Sequence, residues 1–186
     1  MRRIDLDQGA WVDHLPGWIE RADLLFEALD RDVPWRSEER VMFDRTVAVP
    51  RLIASFGVGA QPPHPLLEEA RAALARHYAG VPGAELATTG LCQYRDGNDS
   101  VAWHGDTIGR GGHEDTLVAV VSLGWRRRFA LRPKRGDHGP VRFDVGGGDL
   151  LVMGGSCQRT WEHAVPKTTR PVGPRISVQF RPAGVR

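Results

Sequence analysis

Two histidines and an aspartate in the second half of the chain have the types and spacing of a metal-binding triad. His104 and Asp106 are separated by one residue, and His163 follows later, beside another β segment. Because strand side chains alternate between two faces, a His-x-Asp pair on extended backbone puts both side chains on one face. Two imidazoles and one carboxylate leave octahedral positions open, as in non-haem Fe(II) enzymes, whereas zinc usually takes a tetrahedral set. A His-x-Asp pair alone is common by chance, so the prediction depends on His163.

The last predicted strand carries two arginines on one face. Alternation separates four polar side chains from three apolar ones: Arg175, Ser177, Gln179 and Arg181 against Ile176, Val178 and Phe180. An edge strand with its polar face in solvent would show the same pattern. If that face instead lines the interior, a buried arginine requires a carboxylate, since an unpaired buried cation is costly. An organic-acid cosubstrate would supply one.

Length and composition predict one ordinary globular domain. The chain has 186 residues, of which 41% are hydrophobic and 26% charged, and this balance argues against extensive disorder. Its two cysteines, Cys92 and Cys157, form no CxxC motif, which argues against a disulfide scaffold or structural zinc and favours a reducing compartment. With no apolar leader and no long apolar stretch, we expect a cytoplasmic monomer without membrane association.

The basic residues are unevenly placed, although the net charge is only +2. Six of them fall within ten positions: Arg126, Arg127, Arg128, Arg132, Lys134 and Arg135. A solvated face and a phosphate-contacting stripe for nucleic acid are equally compatible with this run. The stripe would make binding steeply salt-dependent.

Residues 1–85 are predicted to form a helical support and a hairpin. Apolar residues recur at helical spacing over Ala22–Leu29, and Pro65–Tyr78 predicts an amphipathic helix that ends at Gly80. Between them, Val41–Val49 predicts a hairpin with Asp44 near its turn.

Residues 86–182 carry short strand patterns separated by glycine-rich turns. The eight candidate strands are Leu91–Tyr94, Ser100–His104, Thr116–Ser122, Phe129–Arg132, Val141–Val145, Leu150–Met153, Gln158–Glu162 and Arg175–Arg181. Short strands behind flanking helices predict a mainly β, α+β fold, a double-stranded β-helix of the jelly-roll type. We expect residues 1–186 to form one domain, with residues 86–182 as its catalytic core.

Several of these segments resemble the AlkB family of Fe(II)/2-oxoglutarate dioxygenases. They are Cys92–Gly97, His104-Gly105-Asp106, His163, and Arg175 with Arg181. Val49–Gly57 is also similar to the Pro-Arg-containing segment of the nucleic-acid demethylases in that family. The likeness spans residues 41–181, and the triad followed by a double-arginine strand is a specific combination.

The resemblance implies roles for the matching residues. Fe(II) would be bound by His104, Asp106 and His163. The cosubstrate 2-oxoglutarate, which is consumed with O2, would pair its distal carboxylate with Arg175 and hydrogen-bond Tyr94. Other residues of the same pocket would be Cys92, Ser177 and Gln179, with Arg181 between cosubstrate and substrate.

The same resemblance implies that the substrate is an N-alkylated base flipped out of DNA or RNA. The substrate-contacting positions would be Met42, Phe43, Arg51, Trp103 and Ile108. Phe43 falls where DNA-acting relatives carry an apolar probe that enters the base stack, although a hairpin or core aromatic would fit equally. Trp103 adjoins an inward-pointing ligand and should therefore point outward, which favours packing.

Three positions depart from the family pattern. Relatives usually have Asn-x-Tyr where this chain has Cys92-Gln93-Tyr94, and Arg-x-Asn where it has Arg175-Ile176-Ser177. They also carry an acid two positions beyond the metal aspartate, where this chain has Ile108. That acid helps to orient the base in the family, so base preference is left open here. Glu114 and Asp115 in the following loop are candidate replacements.

The function implied is an oxidative demethylase for N-alkylated bases, such as 1-methyladenine and 3-methylcytosine. It would repair single- or double-stranded DNA, or RNA, and release formaldehyde, succinate and CO2. One alternative is a 2-oxoglutarate-dependent hydroxylase of a protein or small metabolite. Another is a non-catalytic nucleic-acid-binding module, in which Cys92, Ser177 and Ile108 mark a degraded pocket.

Overall fold

The computed structural model describes residues 1–42, 45–136 and 139–185, apart from the side chains of residues 40–48. The strands in these ranges are β1 (Arg2–Asp5), β2 (Ala10–Leu15), β3 (Arg36–Met42), β4 (Arg45–Phe56), β5 (Leu86–Tyr94), β6 (Val101–His104), β7 (Val118–Gly124), β8 (Arg127–Pro133), β9 (Val141–Val145), β10 (Asp149–Gly155), β11 (Trp161–Val165) and β12 (Arg175–Pro182). The helices are α1 (Ala22–Asp32), α2 (Pro65–His77) and α3 (Cys157–Thr160).

The strands form two antiparallel sheets. The major sheet has eight strands in the order β1-β2-β10-β7-β12-β5-β4-β3, and the minor sheet has four in the order β6-β11-β8-β9. Apolar side chains from both sheets meet in one core, among them Val120 and Met153 from the major sheet and Phe129 and Leu131 from the minor sheet. This is the two-sheet arrangement predicted from the sequence.

A second core lies between the helices and the other face of the major sheet. Leu25 and Leu29 of α1 and Leu67 and Leu74 of α2 are buried there. The apolar face of β12 packs in the same cluster through Ile176, Val178 and Phe180. Because β12 pairs with β7 on one side and β5 on the other, its polar face must point between the sheets. No helix among the described residues combines the length and apolar character needed to cross a membrane.

Three features differ from the sequence predictions. The first 15 residues contribute two strands, β1 and β2, which pair at the edge of the major sheet, so the support is not purely helical. The strand predicted over Gln158–Glu162 is wrong in its first half, because α3 occupies Cys157–Thr160 and β11 begins only at Trp161. The predicted hairpin is present as β3 and β4, but its turn residues Phe43 and Asp44 lie outside the described residues.

Candidate active site

The two histidines and the aspartate converge between the sheets. His104 is the last residue of β6, and it is the register partner of His163 in the adjacent β11. Asp106 follows His104 after one glycine. One potential ligand atom from each side chain lies within 4.8 Å of the others, so the three residues could hold a metal ion. Asp106 and His163 are buried, whereas His104 is half-buried at the open side of the cluster.

Asp106 reaches this cluster by a turn rather than by strand alternation. Strand β6 ends at His104, and the next residues form a tight turn in which the Thr107 N–H donates to the Gly105 carbonyl at 2.8 Å. A Cβ on Gly105 would lie 2.4 Å from the Gln158 carbonyl oxygen, so this position requires glycine. The buried Gln158 side chain accepts the Asp106 N–H at 2.9 Å and fixes the aspartate backbone. The predicted convergence is therefore correct, but the predicted cause was incomplete.

Both imidazoles are held in orientations suited to a metal. Nδ1 of His104 lies 2.8 Å from the Ala102 carbonyl oxygen, so Nδ1 carries the proton and donates it, and Nε2 keeps its lone pair. The His163 ring stacks on Phe129, with centroids 5.4 Å apart and planes 15° from parallel. Each ring thus has an independent contact that limits its rotation.

The electrostatics of the cluster favour the protonation states that a metal requires. Burial, together with the charge of His104, lowers the pKa of His163 to about 3. Burial alone would raise the pKa of Asp106, but Arg181 and the two histidines outweigh it and lower that pKa to about 2. At neutral pH the cluster therefore presents an unprotonated His163 and an ionised carboxylate, which are metal-binding forms.

Arg175 is a completely buried cation with an incomplete set of partners. Its side chain is 0% exposed, and Nη2 donates to Ser122 Oγ at 2.7 Å. Nε and Nη1 are buried without a hydrogen-bond partner, and no described carboxylate lies within ion-pair distance. Burial lowers the pKa of Arg175, as expected for a desolvated guanidinium. Such a group suits the carboxylate of an exogenous acid.

Tyr94 is sandwiched between two arginines that come from different strands. The Arg175 guanidinium lies 5.0 Å from the ring centroid, and Arg127 lies 5.8 Å from it. Arg127 is itself buried and donates to three carbonyl oxygens, those of Asp96, Asp99 and Pro166, at 2.7 to 2.9 Å. The sequence placed Arg127 only in a basic run. Its role in fixing the loops around Tyr94 could be seen only in three dimensions.

Arg181, at the other end of β12, is paired directly with the cluster. Its Nε donates to Asp106 Oδ2 at 2.9 Å, and Nη2 donates to Oδ1 at 3.3 Å. Gly90 on the neighbouring strand makes room for this side chain, because a Cβ there would lie 2.9 Å from Arg181 Nη1. Between the two arginines, the Gln179 amide donates to Ser177 Oγ at 2.7 Å, and the Cys92 thiol lies 3.9 Å from Gln179 Oε1.

A small cavity of about 70 Å³ lies beside the metal cluster. It is lined by Arg51, Cys92, Tyr94, Val101, His104, Asp106, Val118, Val120, Phe129, His163, Val165, Ser177, Gln179 and Arg181. The structure therefore brings together most residues that the sequence singled out, including Ser177, Gln179 and Arg181 of β12. Arg175 is not part of this lining and lies behind it, against Tyr94.

The predicted substrate-contacting residues are more scattered. Arg51 lines the cavity and donates to the Ser100 carbonyl at 3.3 Å. Trp103 lies on the opposite face of β6 from His104, half-buried beneath Arg132, and does not line the cavity. Ile108 is 66% exposed on the loop after Asp106. Met42 is the last residue of β3, and Phe43 lies outside the described residues.

The two candidate replacements for the missing acid are engaged elsewhere. Glu114 accepts from Arg110 Nε at 2.9 Å, and Asp115 pairs with Arg159. The carboxylate that pairs with Arg181 is Asp106 itself. The loop after Ile108 therefore does not restore the acid of the family pattern.

Residues 57–181 match the model of the 2OG-Fe(II) oxygenase superfamily. The chain is 33% identical over 187 residues to the bovine alpha-ketoglutarate-dependent dioxygenase alkB homolog 3, with 89% of this chain and 64% of the relative covered. The human protein of the same name is 30% identical with the same coverage. The Arabidopsis thaliana DNA oxidative demethylase ALKBH2 is 29% identical over 97% of this chain and 68% of its own length. The chain thus spans 64% of the length of the alkB homolog 3 relatives.

Solved structures show the same fold at low sequence identity. The structure of OsALKBH1 has a TM-score of 0.62 at 14% identity and covers 97% of this chain and all of its own. A Trichoplax adhaerens prolyl hydroxylase has a TM-score of 0.64 at 12% identity, with 91% of this chain and 83% of its own covered. These likenesses confirm the jelly-roll prediction. Because its residues 57–181 match the family model, the chain belongs to the 2OG-Fe(II) oxygenase superfamily, whose members use Fe(II), 2-oxoglutarate and O2.

Proposed function

We propose that this protein is an oxidative demethylase of N-alkylated bases in nucleic acid. The observation that supports its dioxygenase chemistry best is Arg175, a fully buried cation with two unpartnered nitrogens. It lies against Tyr94, which also lines the cavity of the His/Asp/His cluster. A buried guanidinium without a carboxylate is unfavourable, so its retention fits a site completed by an acidic cosubstrate.

In this proposal, His104, Asp106 and His163 hold Fe(II). Arg175 pairs with the distal carboxylate of 2-oxoglutarate, and Tyr94 hydrogen-bonds the cosubstrate, with Cys92, Ser177 and Gln179 completing its pocket. When bound, iron and 2-oxoglutarate supply the oxidation of an N-alkyl carbon by O2, with release of succinate and CO2. The protein keeps His163 unprotonated, orients His104 through Ala102, and excludes water around Arg175.

Arg181 serves as a positioning residue at the metal aspartate. Its bidentate pair with Asp106 holds both carboxylate oxygens, and its remaining surface lines the cavity. In this proposal Arg181 lies between the cosubstrate pocket and the place where a base would enter. Arg51 and Ile108 are proposed to contact that base, together with Met42 and Phe43 from the β3–β4 hairpin.

The proposed substrate class comes from the relatives. Those named dioxygenase alkB homolog 3 and DNA oxidative demethylase align with 89% and 97% of this chain. We therefore propose N-alkylated DNA or RNA bases, such as 1-methyladenine and 3-methylcytosine, with formaldehyde as the second product. Because Ile108 replaces an acid, base preference should differ from that of relatives that carry the acid.

The test is turnover of oligonucleotides that carry a single methylated base, followed by mass spectrometry of the base and assay of succinate. We expect 2-oxoglutarate-dependent demethylation by the wild-type protein and none by His163→Ala. The matched control is His113→Ala, which removes an exposed histidine outside the cluster and should retain turnover. Unchanged turnover by His163→Ala would contradict the assignment of the cluster. Succinate formation that no methylated base stimulates would favour a hydroxylase of proteins or small metabolites.

A further inference from the structure

The outer face of the minor sheet carries a second concave surface, which we call the outer groove. It has a volume of about 540 Å³ and lies away from the cavity of the metal cluster. Its walls include Trp103, Arg128, Ala130, Arg132, Arg142 and Pro166. We propose that the outer groove binds the phosphodiester backbone of the nucleic-acid strand. This proposal rests on the proposed function and states where substrate beyond the flipped base would lie.

The groove gives a role to two residues of the basic run between Arg126 and Arg135 that the proposed catalytic site does not use. Strand β8 alternates, so Arg127 points inward and is buried, whereas Arg128 and Arg132 point outward and are exposed. Arg142 joins them from β9, whose register places it beside Ala130. Two members of the run, Arg128 and Arg132, thus line the groove, whereas Lys134 donates to the Gln158 carbonyl and Arg126 pairs with Asp149.

The shape of the groove suits a chain of phosphates rather than a compact ligand. Its lining residues come from β6, β8 and β9, and β6 and β9 are the two edges of the minor sheet. Four strands spaced about 4.8 Å apart span roughly 14 Å from edge to edge. The small side chain of Ala130 lies between arginines on both sides. A linear polyanion can therefore contact several cations at once.

The existing ion pairs of this face are weak enough to be exchanged. Arg128 lies 3.4 Å from Asp144, and their side chains are 48% and 64% exposed. Arg142 has no ion-pair partner in the described part of the chain. Exposed pairs contribute little to folding, so a phosphate can replace the carboxylate without disrupting the sheet.

Two neighbours, Trp103 and Glu162, fix the orientation of the Arg132 guanidinium. Its plane lies 4.4 Å from the Trp103 ring centroid, and Nε and Nη2 both donate to Glu162 Oε2, at 3.0 and 2.8 Å. Nη1 has no partner among the residues that the structure describes. Stacking on an indole reduces the entropy lost when such a group binds phosphate.

The groove and the cavity lie on opposite faces of the same strands of the minor sheet. Trp103 of the groove precedes His104 of the cavity on β6, and Ala130 of the groove follows Phe129 of the cavity on β8. Because β6 is an edge strand, one strand separates the two surfaces at that side. A nucleic-acid strand that leaves the cavity across this edge meets the groove directly.

The test measures binding of a fluorescein-labelled, unmodified 15-nucleotide DNA single strand by anisotropy, without iron or 2-oxoglutarate. We expect the double variant Arg128→Gln/Arg142→Gln to bind about tenfold more weakly. The slope of log affinity against log salt should fall by about 0.7 for each phosphate contact removed, or roughly 1.4 in total. The matched control, Arg31→Gln/Arg76→Gln, removes the same charge from helices on the far side of the major sheet and should bind as wild type.

Besides unchanged DNA binding by the groove variant, two results would overturn the proposal. One is an equal loss in both double variants, which would indicate only a general effect of net charge. The other is an acidic peptide of the same length that competes as well as DNA, which would indicate an acidic protein partner instead. Thermal melting of both variants should match wild type, because the residues changed are exposed.

The result also separates this proposal from the proposed function. If the wild-type protein demethylates DNA and the groove variant binds DNA normally, the groove assignment fails and the catalytic one stands. If the wild-type protein demethylates no oligonucleotide, the catalytic assignment fails whatever the groove binds.

Discussion

The two arginines of β12 share a strand and a face but differ in every other respect. Arg175 is 0% exposed, pairs with no described carboxylate and keeps two nitrogens without hydrogen bonds. Arg181 is 18% exposed at its side chain and holds both oxygens of Asp106. Arg181 thus has a carboxylate partner within the protein, whereas Arg175 has none among the described residues.

The difference shows how burial separates function from stability. A buried ion pair is damaged when either partner is removed, whereas an unpaired buried cation costs folding free energy until a ligand arrives. Arg181 therefore belongs to the folded structure as well as to the site. Arg175, which has no described carboxylate partner, fits the proposed role in binding an acidic ligand.

The largest expected effect follows from removing the unpaired cation. Arg175→Gln should reduce kcat/KM for 2-oxoglutarate about 1000-fold, which corresponds to about 4 kcal/mol, because it deletes the partner of a desolvated carboxylate. Steady-state succinate formation over a range of 2-oxoglutarate concentrations measures this change. Arg175→Lys should recover only part of it, since an ammonium cannot make a bidentate contact. An unchanged KM for 2-oxoglutarate in Arg175→Gln would contradict the proposed difference between Arg175 and Arg181.

The next prediction compares how the two arginines affect the free energy of unfolding of the ligand-free protein. Arg181→Gln should lower the free energy of unfolding by about 3 kcal/mol, because the buried Asp106 loses its counter-charge. Arg175→Gln should leave that free energy unchanged or raise it by up to about 1 kcal/mol, since a desolvated charge is removed. Urea unfolding of the metal-free variants measures both. Destabilisation of equal size in the two variants would show that Arg175 is also a structural cation.

A smaller effect is expected on the pH dependence of stability, through His163 and Asp106 of the cluster that Arg181 contacts. The pKa of His163 is lowered from 6.5 to about 3, so between these values the unfolded chain binds a proton that the folded protein does not. Metal-free protein should lose stability as pH falls below 6.5, by at most about 2 kcal/mol from His163 at pH 5. The lowered pKa of Asp106, about 2, adds a further loss only below pH 3.8.

Urea unfolding at pH 7.5 and pH 5 tests this expectation. His163→Gln should lose less stability than wild type over that interval. The control, His113→Gln, changes an exposed histidine and should behave as wild type. Equal pH dependence in all three proteins would show that His163 protonates freely in the folded state.

The smallest effect is expected at Cys92. Relatives of the AlkB family usually carry asparagine there, and the Cys92 thiol makes only a 3.9 Å contact with Gln179. Cys92→Asn should lower the KM for 2-oxoglutarate about threefold, since an amide hydrogen bond replaces a weak thiol contact. Cys92→Ala is the matched control and should not lower it. A higher KM in Cys92→Asn would mean that the thiol is the better fit to this pocket.

Local patterns predicted much of this site. The alternation of β12 correctly placed Arg175, Ser177, Gln179 and Arg181 on one inward face, because a strand with one apolar face has a fixed register. The His-x-Asp spacing and His163 correctly predicted one cluster. These residues, except Asp106, lie on regular strands, where alternation fixes the face of each side chain.

Most other contacts between distant segments could not be predicted. Gln158 fixes Asp106 from a single helical turn, where a strand was expected, and nothing in its local sequence indicates that contact. Arg127 looks like its exposed neighbours, yet it binds three carbonyl oxygens from two loops. Such roles depend on which chain segments the fold brings alongside, and no local periodicity encodes that.

The central place of β12 also constrains how the gene can change. Deleting one residue within Arg175–Pro182 would exchange its faces from that point onward, which moves apolar side chains into the cavity and arginines against the helices. Insertions and deletions should therefore be absent from this strand in functional sequences. They should instead collect in the exposed segment before it, between Pro166 and Pro174, where length has no effect on register.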